Sequence, residues 1–326
     1  MAQKTNRGGK REGAGRKKGT QKLESIQEQY QEEVKPLTRG ILLVALGDSM
    51  YGKMAANVAI SIRYNDAKLP IHLVYSESSI RHLTDAHKAL FTSLSVCPDE
   101  YMTKNGKRNY FKVKTYLYDL SPFDETIVLD VDLILFGGKD LNAIFDRVKT
   151  VPISFQSRGF YDCNNKKLTG NYTHWFNVED AITAYGLSGK IYQLSSEFIY
   201  FRKCDEAKAV FDLAKEIFEN PKIKSSVEFA GDLPDEFAFN IAMAKQGLSP
   251  IKDLDILLWW SLMDKNIIWT DVIKNYIGIS IGGINITSKD LTIYHSIIKH
   301  QLKSLSIPYH FQISPKKRWA TNRTSI

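Results

Sequence analysis

Cysteine is scarce: the 326 residues contain three, Cys97, Cys163 and Cys204. They lie too far apart for zinc-ligand spacing or for a disulfide framework, and read as free thiols in a reducing compartment, most simply a cytoplasm. No apolar run approaches the roughly 18 residues of a membrane-spanning helix, and the charged N-terminal segment lacks the apolar stretch of a signal peptide. Neither a span nor a cleaved leader is expected. Internal repeats and Walker-type phosphate loops are also missing, and Gly282-Gly283 alone marks a turn. Hydrophobic residues make up 43% and charged residues 25% of the chain, the balance of a soluble globular enzyme with one substantial core.

The net charge of +8 is concentrated at the two ends. Residues 1–22 carry eight Lys or Arg against one Glu, and residues 299–326 carry six against none. The body between them is therefore mildly acidic. Gly8 to Gly19 has too few apolar residues to pack, so 1–22 is expected to be a basic disordered tail. Such a tail attracts phosphates without regard to sequence and in a salt-sensitive way, or else only keeps the chain soluble. Leu23, Ile26, Tyr30 and Val34 at helical spacing predict a linker helix within 23–38, ended before Pro36. A folded domain over 39–300 and a basic C-terminal extension over 301–326 complete the organisation.

The most informative stretch runs from Ile127 to Phe136, Ile-Val-Leu-Asp-Val-Asp-Leu-Ile-Leu-Phe. It reads as a buried strand with Asp130 and Asp132 in its middle, where bare carboxylates cost several kcal/mol unless paired or bound to a metal. On an extended chain the two point to one face about 6–7 Å apart. A divalent ion fits between them, with oxygen ligands favouring Mg or Mn and substrate phosphates completing the shell. The alternative is a pair of carboxylates at a strand end, held by salt bridges or turn contacts.

Ahead of this run, Phe111 to Leu120 has a helical pattern and Ser121-Pro122 a turn. Ile41 to Leu46 predicts a first strand, followed by Gly47-Asp48-Ser49-Met50-Tyr51, a helix reaching Arg63, and a second strand at Pro70–Tyr75. This βαβ opening with its later Asp-x-Asp resembles the glycogenin-like retaining glycosyltransferases, which include galactinol synthases and bacterial lipopolysaccharide galactosyltransferases. Tyr192 to Phe201, Pro234 to Asn240 and Ile293-Tyr294-His295 are similar to later family motifs in the same order. The likeness covers roughly residues 40–300. Ser195 departs from the usual Asn and Glu197 from the usual Gly, and the family's lysine after His295 is out of register.

The resemblance implies an α/β fold of GT-A type, doubly wound, with a mainly parallel mixed sheet and helices on both faces. It further implies transfer of a sugar from a nucleoside diphosphate donor, a UDP-sugar foremost, with retention and with Mn or Mg. By the same resemblance Asp130, Asp132 and a strand-borne His295 hold the metal. Asp48, Tyr51, Lys114, Asp130, Ser196 and Lys299 contact the nucleotide sugar, with Tyr51 on the uracil, Lys299 on the diphosphate, and Lys303 as the alternative to Lys299. Asp235 lies near the anomeric carbon and Glu236 orients the sugar, although an acidic pair after Pro234 also suits a helix N-terminus. Ser157–Thr173 reads as an acceptor-side loop or a plain surface loop, and Leu254–Leu262, with Trp259 and Trp260, as a core helix.

The acceptor is left open among DNA, protein and glycan. Gly8 to Gly19 also resembles leaders common in proteins of bacteriophages and mobile elements, which would place the chain in a host cytoplasm or a virion. The competing reading is a nucleic-acid-binding or virion-associated phage protein built on a catalytically decayed transferase fold.

Overall fold

The computed structural model describes residues 38–170, 175–228, 232–251, 256–259, 269–280, 288–305 and Phe311. The basic tail, the expected linker helix up to residue 37, Gly282-Gly283, Trp260 and the C-terminal extension past residue 305, Phe311 excepted, lie outside the described residues.

Strand β1 (Arg39–Ala45) leads into helix α1 (Ser49–Asn65), β2 (Ile71–Tyr75) and β3 (Ser93–Val96). Alternate residues of β1 serve opposite faces. Ile41 and Leu43 belong to one buried cluster and Leu42 to a second, so the strand is covered on both sides, as the unbroken apolar run predicts. Next come β4 (Glu125–Leu129), β5 (Leu133–Leu135), α2 (Leu141–Val148), β6 (Ile153–Asp162), β7 (Lys167–Gly170), α3 (Val178–Tyr185) and β8 (Lys190–Arg202). Helices α4 (Asp205–Glu219) and α5 (Asp235–Lys245), strand β9 (Leu257–Trp259), α6 (Trp269–Asn275), β10 (Gly278–Ser280) and α7 (Ser288–Leu305) complete the described chain.

A seven-stranded mixed sheet runs β3-β2-β1-β4-β8-β6-β7, with a small sheet β9-β10-β5 beside it. The run β3-β2-β1-β4 is parallel, and β8 joins β4 antiparallel. Residues of α1 and α7 fill the cluster on one face, and residues of α4 and α5 that on the other. This is the doubly wound, two-faced α/β arrangement expected from the sequence.

Four local expectations are corrected. The run Ile127–Phe136 is not one strand: β4 ends at Leu129, Val131-Asp132 form a turn, and β5 enters the small sheet. The break falls at the two aspartates, where continued burial within a sheet would strip water from charge.

Ser157–Thr173 is not an irregular loop through Gly170 but a hairpin of β6 and β7. Its polarity reflects an exposed sheet edge, and Asp162 closes the turn by accepting from the Asn164 amide at 2.9 Å. Leu257–Trp259 is a strand paired in parallel with Gly278–Ser280 rather than a core helix, an ambiguity inherent in a short apolar run. Ile293-Tyr294-His295 lies within helix α7 rather than on a strand. The buried residues Tyr294, Ile298 and Leu302 repeat every four positions, and that helical period outweighs the β-branched look of Thr292-Ile293. Helix α7 also continues without a break past residue 300.

The first turn of α1 is fixed by close packing. Asp48 caps the helix by accepting from the Met50 amide at 2.8 Å, the expected use of Asp at this position. Gly52 lies against the carbonyl of Ser79, where a Cβ would overlap backbone. Gly52→Ala should therefore destabilise the chain by about 1–3 kcal/mol, the usual cost of overpacking, read as a lower urea midpoint at unchanged slope. Parent-like stability would show that this contact does not anchor α1.

Candidate active site

The parallel strands β1, β2 and β4 direct their carboxyl ends to one edge of the sheet, the place where open α/β sheets bind ligands. Asp48 and Tyr51 follow β1 there, and Asp130 and Asp132 follow β4. Because Phe198 of β8 is opposite Leu129, the antiparallel register brings Ser196 and Glu197 beside Asp130, and the Asp130 amide donates to the Glu197 carbonyl at 3.1 Å. The β6–β8 register slips between Ser195 and Ile199, an irregularity of the kind that re-aims side chains at functional edges. Helix α5 presents Asp235 and Glu236 in its first turn, and its Asn240 Oδ1 accepts from the Leu194 amide at 3.1 Å, fixing α5 to β8.

At the centre of this edge is Lys114, on a 3-10 turn over Lys112–Tyr116. Its Nζ donates to Asp130 Oδ2 at 2.9 Å and to Ser196 Oγ at 2.8 Å, and lies 3.5 Å from Asp235 Oδ2. Ser196 in turn donates to Glu236 Oε1 at 2.9 Å. One ammonium thus ties together three elements that are distant in sequence. Glu197 accepts from Ser195 Oγ at 3.3 Å and from Ser280 Oγ at 3.1 Å.

Asp130, Asp132, Glu197 and Glu236 share this edge with two cations, Lys114 and Arg158, and burial first, then neighbouring charge, sets how they titrate. Burial, then the charge of Asp130, raises Asp132 to about 7. Burial and Asp235 raise Glu236 to about 7 against the pull of Lys114. Burial also lifts Asp130, opposed by Lys114, and lifts Glu197 well above its ordinary value, with Asp132 and Asp130 adding to it. Lys114 is pulled down by burial, but Asp130, Asp235 and Glu236 outweigh that and hold it above an ordinary lysine. Arg158 is lowered to about 10 by burial, against Glu197 and Glu236.

Among the described residues no three His, Cys, Asp or Glu side chains are grouped as a ready metal site. The two aspartates nevertheless fit a divalent cation. Asp132 Oδ1 is buried with no hydrogen-bond partner among the described residues, its carboxyl is raised by negative surroundings, and hard oxygen donors suit Mg or Mn when phosphates supply the other ligands.

Of the residues named from sequence, Lys114, Asp130, Ser196, Asp235 and Glu236 meet in one network, and Asp132 and Tyr51 adjoin it: Tyr51 is raised by burial first and then by Asp132. Asp48 is nearby as the α1 cap. His295 is half-buried on α7, its ring edge-on to Tyr294 at 5.3 Å, and does not complete a three-ligand group. Lys299 is exposed on α7, as is Lys303. Glu197 stands out in the sequence only as a departure from the family pattern, and Arg158 does not stand out at all. A charged residue in an otherwise apolar strand was the available signal for Glu197. Arg158, in the segment read as a loop, gave none.

The raised carboxyls carry a sign. With their folded values near 7 against 3.8 for Asp and 4.5 for Glu, Asp132 and Glu236 favour the folded state most at low pH, and that stability is lost as pH rises toward 7. Melting of the metal-free protein should accordingly fall between pH 5 and pH 8, and Asp132→Asn should raise Tm at pH 8 and flatten the fall. A parent-like slope in that variant would disprove the electrostatic strain.

No known protein-family profile matches the sequence, and no curated protein matches it. Solved structures do. The chain is similar to the apo structure of the bifunctional glycosyltransferase WbbM, with a TM-score of 0.53 and 12% identity over 82% of this chain and 50% of that one. It spans about half the length of that protein. It also matches the galactosyltransferase LgtC, solved with donor and acceptor sugar analogues, with a TM-score of 0.49 and 10% identity over 79% of this chain and 95% of that one. Together with the mixed seven-stranded sheet covered by helices on both faces, the likeness to WbbM shows the fold: a glycosyltransferase fold of GT-A type.

Proposed function

We propose that the chain is a glycosyltransferase that moves a sugar from a nucleoside diphosphate donor, a UDP-sugar, to an acceptor, with retention of anomeric configuration. The observation that carries this reading is the Lys114 network at the carboxyl edge of the sheet, next to Asp132, which has an unsatisfied buried oxygen. The GT-A fold supports it.

Asp130 and Asp132 would hold a Mn or Mg ion, whose chemistry there is neutralisation of the departing diphosphate. Lys114 holds Asp130 in place, shares its charge with Asp235, and through Ser196 fixes the orientation of Glu236. Tyr51 stacks on the nucleobase. Asp235 and Glu236, projecting from the N-terminus of α5, bound the opposite end of the site and face the donor sugar. On α7, His295 is assigned to the metal by resemblance alone, and Lys299, or Lys303 as its alternative, to the diphosphate.

Calorimetry with UDP and Mn tests this reading. Asp130→Asn and Asp132→Asn should each abolish Mn-dependent UDP binding while far-UV circular dichroism stays parent-like, since the charges serve the ion rather than the fold. Unchanged binding in both variants would remove the metal role.

The acidic body and basic residues 1–22 also favour a DNA contact made by the tail alone. Deleting residues 1–22 should remove most binding to duplex DNA at low salt and leave UDP affinity unchanged. In the intact chain log K should fall by about 0.9 per neutralised phosphate for each tenfold rise in salt. Binding that is retained after deletion, or insensitive to salt, would show that the tail is not the contact, and a protein or glycan acceptor would then be favoured.

A further inference from the structure

Large exposed aromatic side chains usually stand alone on a protein surface and need no explanation. Tyr110 is different. It is 43% exposed, yet its ring rests on Gly47, at the carboxyl end of β1. Gly47 has φ +81°, and a Cβ there would lie 2.9 Å from Tyr110 Cε2, so only glycine gives both the turn and the space. The Gly47 peptide is itself held: its amide donates to Ser76 Oγ at 2.8 Å and its carbonyl accepts from Ser78 Oγ.

The mount of Tyr110 is equally firm. Its neighbour Asn109 is buried, donates through Nδ2 to Asp232, and accepts at Oδ1 from the Phe111 and Lys112 amides at 3.0 and 3.1 Å. The same short segment continues into the turn that carries Lys114. Tyr110 is therefore an aromatic face fixed at the mouth of the site, with one side left to solvent.

The charged neighbours divide the site into two parts. Around Tyr51 they are Asp132, Asp48 and Asp130, with Tyr110 also acting on its hydroxyl. Around Lys114 they are Asp130, Asp235 and Glu236. The Tyr110 ring rests on Gly47, four residues before Tyr51 and beyond the end of β1, whereas Lys114 joins Asp130, beyond the end of β4, to Asp235 and through Ser196 to Glu236, so an aromatic part and a charged part stand side by side on one edge of the sheet. A nucleoside diphosphate sugar has matching parts: a planar base, an anionic diphosphate and a hydroxyl-rich ring. Bases bind well to aromatic faces because each presents a π surface.

We infer that Tyr110 lines the donor's nucleobase slot together with Tyr51, so that the base is gripped by two aromatic side chains carried on separate segments. This rests on the nucleotide-sugar reading above and adds to it a second base-binding residue. The edge of the sheet at Gly47 supplies the floor of the slot, and the Asn109 mount keeps Tyr110 from folding away when the site is empty.

The test compares UDP with inorganic pyrophosphate, which lacks the base, both in the presence of Mn, by calorimetry on the full chain. Tyr110→Ala should weaken UDP binding about 5- to 150-fold, the span for losing one base–aromatic stack, and leave pyrophosphate binding as in the parent. Tyr110→Phe should restore UDP affinity, since the ring and not the hydroxyl makes the contact. Parent-like UDP binding in Tyr110→Ala, where Asp130→Asn abolishes it, overturns the role of Tyr110 and leaves the donor reading standing. Equal losses for UDP and pyrophosphate would mean that Tyr110 only shapes the loop, which also overturns the inference. A parent protein that binds pyrophosphate but gains nothing from the base overturns the slot itself, and one that binds neither overturns the donor reading with it.

Discussion

The Lys114 ammonium is the contact on which the rest of the site depends. Carboxylates from β4, α5 and the β8 bulge converge on a partly buried edge, where their mutual repulsion and loss of water would drive them apart. Lys114 opposes both effects by pairing with Asp130 and Asp235 and by reaching Glu236 through Ser196. It does not satisfy every group: burial keeps the Asp132 and Glu197 carboxyls raised, so that their charged forms are disfavoured, and Asp132 Oδ1 has no hydrogen-bond partner among the described residues. A fold can tolerate such a cluster when the rest of its core is well satisfied, and strain of this kind is concentrated at functional sites.

The arrangement follows from how the chain passes between its two sheets. Strand β4 is central and covered on both faces, and it stops where the first aspartate appears, so the turn Asp130-Val131-Asp132 is also the crossing from the large sheet to the small one. The register of β8 against β4 then decides which residues meet these aspartates. Phe198 opposite Leu129 places Ser196 and Glu197 at the edge, and a shift of one residue would exchange polar for apolar side chains there. Sheet register and site composition are therefore one constraint.

Much of this was legible in the sequence because it depends on local patterns. The βαβ opening, Asp48 ahead of a helix, the acidic pair after Pro234 and the two aspartates in an apolar run each carry their signal within a few residues. Lys114, Ser196 and Glu236 could be named only by resemblance, since nothing local says that segments as far apart as Lys114, Ser196 and Asp235 will share one ammonium. The failures have physical reasons as well. The hairpin at Ser157–Gly170 was hidden because edge strands keep polar side chains, and Leu257–Trp259 because three apolar residues have no period. His295 was misplaced because β-branched neighbours masked the four-residue spacing of Tyr294, Ile298 and Leu302. Tyr110 left no trace, because its meaning lies in the glycine on which it rests.

The central claim is that this edge handles a nucleotide sugar as a reactive donor. Its most direct test is incubation of the full chain with Mn and a panel of UDP-sugars without acceptor, measuring release of UDP, because transferases of this kind commonly hydrolyse their donor slowly when no acceptor is present. The account predicts release from at least one UDP-sugar that stops on chelation and is lost in Lys114→Met. No release above the chelated control from any member of the panel would contradict it, and would favour a binding scaffold built on a transferase fold.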